Sequence, residues 1–165
     1  MDIGAPNTLT YLAYVATWSS FVATAAMLSR VDFREHRLPN TLVATGYLCG
    51  LLGFTIAAFS RGNFTIVTNA VLGSLITVLG YLMIHLLGGM GMGDVKYAGV
   101  IGLYLGSLGW TYLYLGALIS FVGAALWALP QMVSKRGNHS VPFGPFMALG
   151  VLASGCIAIG VTAGA

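Results

Sequence analysis

Gly88-Gly89-Met90-Gly91-Met92-Gly93-Asp94-Val95-Lys96 joins two long apolar runs, one from about Ile66 to Leu87 and one from about Val95 to Leu108. The glycines mark a turn, and the flanking runs read as membrane helices. A carboxylate at the rim of such a helix is expensive and therefore points to a function. The composition around this turn agrees. Of 165 residues 58% are hydrophobic and only 7% charged, and the mean hydropathy is +0.88, more apolar surface than a soluble domain of this size can bury. Crossing the hydrocarbon core takes about 20 residues per helix. The expected fold is an all-α integral membrane protein, a bundle of about six transmembrane helices in a single polytopic domain over residues 1–165.

Working outward, helix one is expected over Thr10 to Leu28, and the most charged segment follows, Arg30-Val31-Asp32-Phe33-Arg34-Glu35-His36-Arg37-Leu38-Pro39-Asn40. Pro39 disfavours helical geometry at Leu38, and Asn40 is placed to cap helix two, Thr41 to Phe59. Helix four, Val95 to Leu108, is short for a full span; helix five covers Trp110 to Leu129 and helix six Phe146 to Val161. Gly46 with Gly50, and Gly102 with Gly106, have the small-xxx-small spacing that lets membrane helices approach closely. Met1-Asp2-Ile3 has no basic region of the signal-peptide kind, so helix one is expected to be retained.

The sequence pI is near 9.0, but the seven Lys and Arg residues are scattered at the ends of apolar runs and form no stripe for nucleic acid. They set topology instead. Arg30, Arg34, Arg37, Lys96, Lys135 and Arg136 fall on one side and Arg61 on the other. The first side is expected to be cytoplasmic and both termini non-cytoplasmic. Asp32, Asp94 and Val141-Pro142-Phe143-Gly144-Pro145 then share the cytoplasmic side. Cys49 and Cys156 lie in apolar runs without a histidine at ligand spacing, so they read as buried free thiols rather than a metal site or disulfide.

Four acidic residues are present. Asp2 is terminal, and Glu35 lies between Arg34 and Arg37, where a solvated role is expected. Asp32 and Asp94 each sit at a helix boundary. Singly, Asp32 can pair with Arg30 or Arg34, and Asp94 can cap helix four. Together, two carboxylates on one face can share a proton: the ionised one activates water and the protonated one polarises a carbonyl. Gly91 and Gly93 would permit unusual backbone angles and close approach of a substrate strand, and the dipole of helix four would favour the ionised form of Asp94. There is no H-E-x-x-H and no serine in a G-x-S-G context, so metalloprotease and serine hydrolase chemistry have no residue set. His85 reads as interfacial packing.

Asp32 with Arg34, then Leu38-Pro39-Asn40, Gly91-Met92-Gly93-Asp94-Val95-Lys96 and Pro142-Phe143-Gly144-Pro145, in that order between membrane helices, resemble the type IV prepilin peptidases, bacterial G-x-G-D aspartyl proteases. The resemblance implies that Asp32 and Asp94 are the catalytic pair, with Gly91, Gly93, Lys96, Pro39, Asn40, Pro142, Gly144 and Pro145 shaping the site. It implies cleavage of the basic leader from prepilin or pseudopilin precursors at the cytoplasmic face of the inner membrane, without metal or cofactor. Nothing before helix one matches the extension with which larger members methylate their product, so the chain resembles the short, peptidase-only form. Two other classes fit the carboxylates less well: a small proton-coupled transporter, whose coupling sites usually sit at mid-membrane, and a structural subunit of a pilus or secretion assembly.

Overall fold

The computed structural model describes residues 8–35, 38–88, 90–133 and 143–164. They form six helices: α1 Thr8–Glu35, α2 Asn40–Arg61, α3 Thr65–Leu86, α4 Met92–Leu108, α5 Trp110–Val133 and α6 Phe143–Ala163. Five of them, all but α4, are long and apolar enough to cross a membrane. The chain is thus a helical membrane bundle, as its composition requires.

The arrangement centres on α4. Every residue from Tyr97 to Gly106 is buried, while the other helices turn rows of Leu, Ile, Val and Phe outward, including Leu48, Leu52, Leu75, Leu79, Leu118 and Ile159. At 17 residues, α4 is about 25 Å long, less than the roughly 30 Å hydrocarbon thickness. Its sequence suits enclosure because glycines at 99, 102 and 106 remove the side chains that would hold neighbours away. The closest approach is to α3. A Cβ added at Gly73 would lie 2.6 Å from the Gly102 carbonyl oxygen and 2.9 Å from the Gly106 Cα, so here backbone meets backbone. The Thr77 hydroxyl lies 2.9 Å from the Ala98 carbonyl oxygen across the same interface. Lipid supplies no hydrophobic drive for helices to associate, so close packing and hydrogen bonds of this kind hold the pair.

On the opposite face Tyr104 is ringed by Trp18 and Phe21 of α1 and Phe54 of α2, with ring centroids 5.6, 4.5 and 5.4 Å away. Tilted and edge-on contacts at these separations are the favourable ones for aromatic rings. The small-residue pairs therefore pack the protein's own helices: Gly46 receives Val100, and Gly50 receives Leu103 and Tyr104.

Several boundaries differ from expectation. Helix α1 does not stop at Leu28. It runs through the charged segment to Glu35 because Phe21, Ala25, Leu28 and Asp32 continue one buried stripe while Phe33 and Arg34 face outward. Helix α4 begins at Met92, which draws Gly93 and Asp94 into its first turn. Helix α6 begins at Phe143, so Phe143-Gly144-Pro145 is a first helical turn rather than a loop. Proline is tolerated there because the first N–H groups of a helix have no intrahelical partner. Cys49 is only partly covered and Cys156 is exposed on the outer surface, so neither is the buried thiol expected.

Substitutions at the glycines should separate packing from propensity. Gly102→Ala is expected to cost about 1–3 kcal/mol through overpacking, seen as a lower thermal midpoint in detergent. Gly80→Ala, where nothing lies within 4 Å of the added carbon, should be neutral or stabilising by up to about 1 kcal/mol.

Candidate functional site

At one end of the bundle a cavity of about 360 Å³ opens between α1, the α1–α2 connection and the start of α4. Asp32 and Asp94 both line it, together with Leu38, Asn40, Gly91, Met92, Gly93 and Lys96. The two carboxylates expected to act together are therefore brought to one cavity, although 62 positions separate them in the sequence.

Asp32 is 5% exposed. Its Oδ2 accepts a hydrogen bond of 3.0 Å from the Gly144 backbone N–H, at the beginning of α6. A Cβ at Gly144 would lie 2.9 Å from that same Oδ2, so only glycine lets the α6 backbone come so near. The donor is one of the free N–H groups of a helix start. Donors of this kind serve an anion.

Asp94 is the third residue of α4, after Gly91 as N-cap. The N-cap position itself is filled by a glycine without a side-chain cap, and the Asp94 side chain reaches back to the Gly91 backbone instead. Burial is the larger influence on it, followed by the negative charge of Asp32, and together they raise its pKa from the ordinary 3.8 to about 6, against the lowering effect of a hydrogen bond with the Gly91 backbone. The helix dipole was expected to favour the ionised form; loss of solvent and a like charge outweigh it.

The glycines act by space, not by unusual angles. Gly91 is extended, at φ −72° and ψ 149°, and among the described residues of this turn the left-handed one is Gly88, at φ 79°. A Cβ at Gly91 would press within 3.3 Å of Asp94 Oδ2, and one at Gly93 within 3.2 Å of Leu38 Cβ. Asn40 does not cap α2 either: Pro39 holds the N-cap position in extended geometry without a side-chain bond. The Asn40 Oδ1 instead accepts a 3.0 Å hydrogen bond from Lys96 Nζ. This contact ties the start of α2 to α4. Pro145 is buried in the first turn of α6, beside the Asp32 contact, while Pro142 lies outside the described residues.

Two contributors do more than their reading from the sequence assigned them. Leu38 forms a wall of the cavity, packed where side chains at Gly93 and Gly144 would otherwise stand; its signal was an apolar residue inside the most charged segment. His85, in the last turn of α3, places Nδ1 2.7 Å from the Met90 carbonyl oxygen. It thus holds the chain entering Gly91, beyond the packing role expected of it.

The fold and site define a class: a multi-pass helical membrane protein with two carboxylates in one cavity at the end of its bundle. Residues 19–129 match the sequence profile of the type IV leader peptidase family, and the chain belongs to that family. The matched segment contains Asp32, Leu38-Pro39-Asn40 and Gly91 to Lys96, while the Gly144 contact comes from beyond it. Among curated proteins and among solved structures none matches.

The raised pKa of Asp94 has a consequence for stability. Below about pH 4 the residue is protonated in both the folded and the unfolded chain. Between about pH 4 and 6 the unfolded chain has released its proton while the folded protein still holds it, so stability falls as pH rises through that window. Asp94→Asn removes this dependence. Thermal midpoints measured in detergent should show wild type losing ground to the Asn variant from about pH 4 to 6, with a constant gap above that range.

Proposed function

We propose that this protein is an aspartyl endopeptidase that removes the basic leader from type IV prepilin or pseudopilin precursors at the cytoplasmic face of the bacterial inner membrane. The observation that carries the reading is that Asp32 and Asp94, remote in sequence, line one cavity at the end of the bundle. The membership of the chain in a leader peptidase family supports peptide-bond hydrolysis. The charge distribution supports the orientation: Arg30, Arg34 and Lys96 lie toward the cavity end, and Arg61 ends α2 at the other, beneath the Tyr14 ring. Basic residues mark the cytoplasmic side of membrane proteins.

The surroundings of the two carboxylates divide their labour. Asp32, served by the Gly144 N–H, is the ionised member and takes a proton from water as the oxygen attacks the scissile carbonyl carbon. Asp94 carries the proton and gives it to the carbonyl oxygen. In the second half Asp32 returns its proton to the leaving amine as the C–N bond breaks, and Asp94 recovers its own from the intermediate's hydroxyl. The pair titrates as a unit. A cavity lined by two acids and a tethered lysine suits the positive leader of such a precursor. Its apolar helix would lie in the bilayer against the outward-facing aliphatic rows; the glycines of α4, filled by α3, are not open to it.

Co-expression with a prepilin precursor tests the reading. Wild type should shorten the precursor on a gel; Asp32→Asn and Asp94→Asn should each abolish the shift while still inserting in the membrane. Cleavage retained by either variant would refute the pair.

The Gly144 contact should also matter quantitatively. Gly144→Ala pushes the Asp32 carboxylate aside and is expected to reduce the cleavage rate on the order of tenfold to a hundredfold, as sub-ångström misplacement of reacting groups does. A small change in thermal midpoint should accompany it, because the alanine itself suits a helix.

A further inference from the structure

One buried polar group near the site has no role in the chemistry described so far. Tyr97 is 1% exposed, and its hydroxyl has no hydrogen-bond partner among the described residues. An unpaired buried hydroxyl costs about 1–3 kcal/mol, so phenylalanine would serve packing alone at least as well.

The position of Tyr97 follows from the register of α1 against α4. Tyr104 packs on Phe21, with ring centroids 4.5 Å apart, and Asp94 shares a cavity with Asp32. Ten residues separate 94 from 104 and eleven separate 21 from 32, so the two helices run in opposite directions over about 15 Å, meeting through side chains rather than through close backbone approach. Tyr97, three residues after Asp94, lies on the same face of α4 about 4.5 Å further in. Side chains on a helix lean toward its N-terminus, which tips this ring back toward the cavity. Tyr97 does not line the cavity; it is enclosed in the core of the bundle, one turn below Asp94.

We propose that Tyr97 is a positioning residue for the peptidase reaction, its hydroxyl held in reserve beneath the pair to hydrogen-bond the Asp32 carboxyl group in the substrate-bound state. The inference rests on the aspartyl peptidase reading. A hydroxyl suits the task because it both donates and accepts. It donates to Asp32 while that group is ionised, and accepts from it once Asp32 has taken the proton of the attacking water. Within a site closed from solvent such a bond is stronger than in water, so the partner left unmade at rest becomes available when the intermediate forms. The Gly144 N–H, a donor only, serves the ionised form alone.

Steady-state cleavage of a purified prepilin precursor by wild type and Tyr97→Phe in detergent tests this, alongside Asp32→Asn as a control. The Phe variant should keep or raise the thermal midpoint, leave KM within about twofold, and lower kcat on the order of tenfold to a hundredfold, the value of a hydrogen bond to a charged group. Unchanged kcat would overturn the proposal, as would a lower midpoint, which would make the hydroxyl structural. If the Phe variant is unimpaired while Asp32→Asn is inactive, the positioning role fails and the peptidase reading stands. If wild type itself does not cleave, the peptidase reading fails and this inference fails with it.

Discussion

Backbone contact between α3 and α4 is the constraint on which the molecule turns. With Gly73 set against Gly102 and Gly106, the two helices approach more closely than any side chain would allow, and the Thr77 hydroxyl reaches the Ala98 carbonyl oxygen across the gap. In a bilayer this is the available means of association, since apolar side chains gain little by leaving lipid for protein. The result is a helix enclosed on nearly every face, with α2, α5 and α6 packed around the side that α3 leaves open and the Trp18 and Phe21 rings of α1 reaching it. Its N-terminal end, Met92 to Lys96, reaches the cavity, and that end carries Asp94.

Enclosure also governs the electrostatics. Asp94 stands at a helix start, where the dipole favours negative charge by about 0.3–1 kcal/mol at exposed sites. Burial and the facing Asp32 work in the opposite direction and prevail, bringing the carboxyl to about 6. Asp32 has the opposite kind of support, a backbone donor from α6 at 3.0 Å. Two residues of the same type thus have unlike surroundings, the condition for one acid to hold a proton while its partner acts as a base. Lys96 lines the same cavity, its head group hydrogen-bonded to Asn40.

The bundle, its helix number and the brevity of α4 were legible in the sequence, because apolar runs of membrane length between turn residues have few other readings. Asp32 and Asp94 were legible because an acid at the edge of such a run stands out. The work of the smaller residues was not. Gly91 and Gly93 stood out as glycines, but whether they supply backbone freedom or room depends on what lies opposite, and Leu38 and Asp94 lie there. Asn40 has the composition of a cap and the role of a tether. The continuation of α1 through Arg30 and Arg34 was hidden by their charge, since the residues that extend the helix are the inward-facing ones at every third or fourth position.

By itself, the sequence determined that this chain lives in a membrane, that it is helical, and which two carboxylates are the candidates for chemistry, because hydropathy and rare charges are local properties of a chain. Which helix is central, which backbone N–H meets Asp32, and which way burial moves the Asp94 carboxyl were decided by tertiary structure alone. Those depend on distances between residues up to 112 positions apart and on the exclusion of solvent, and neither exists until the helices have packed.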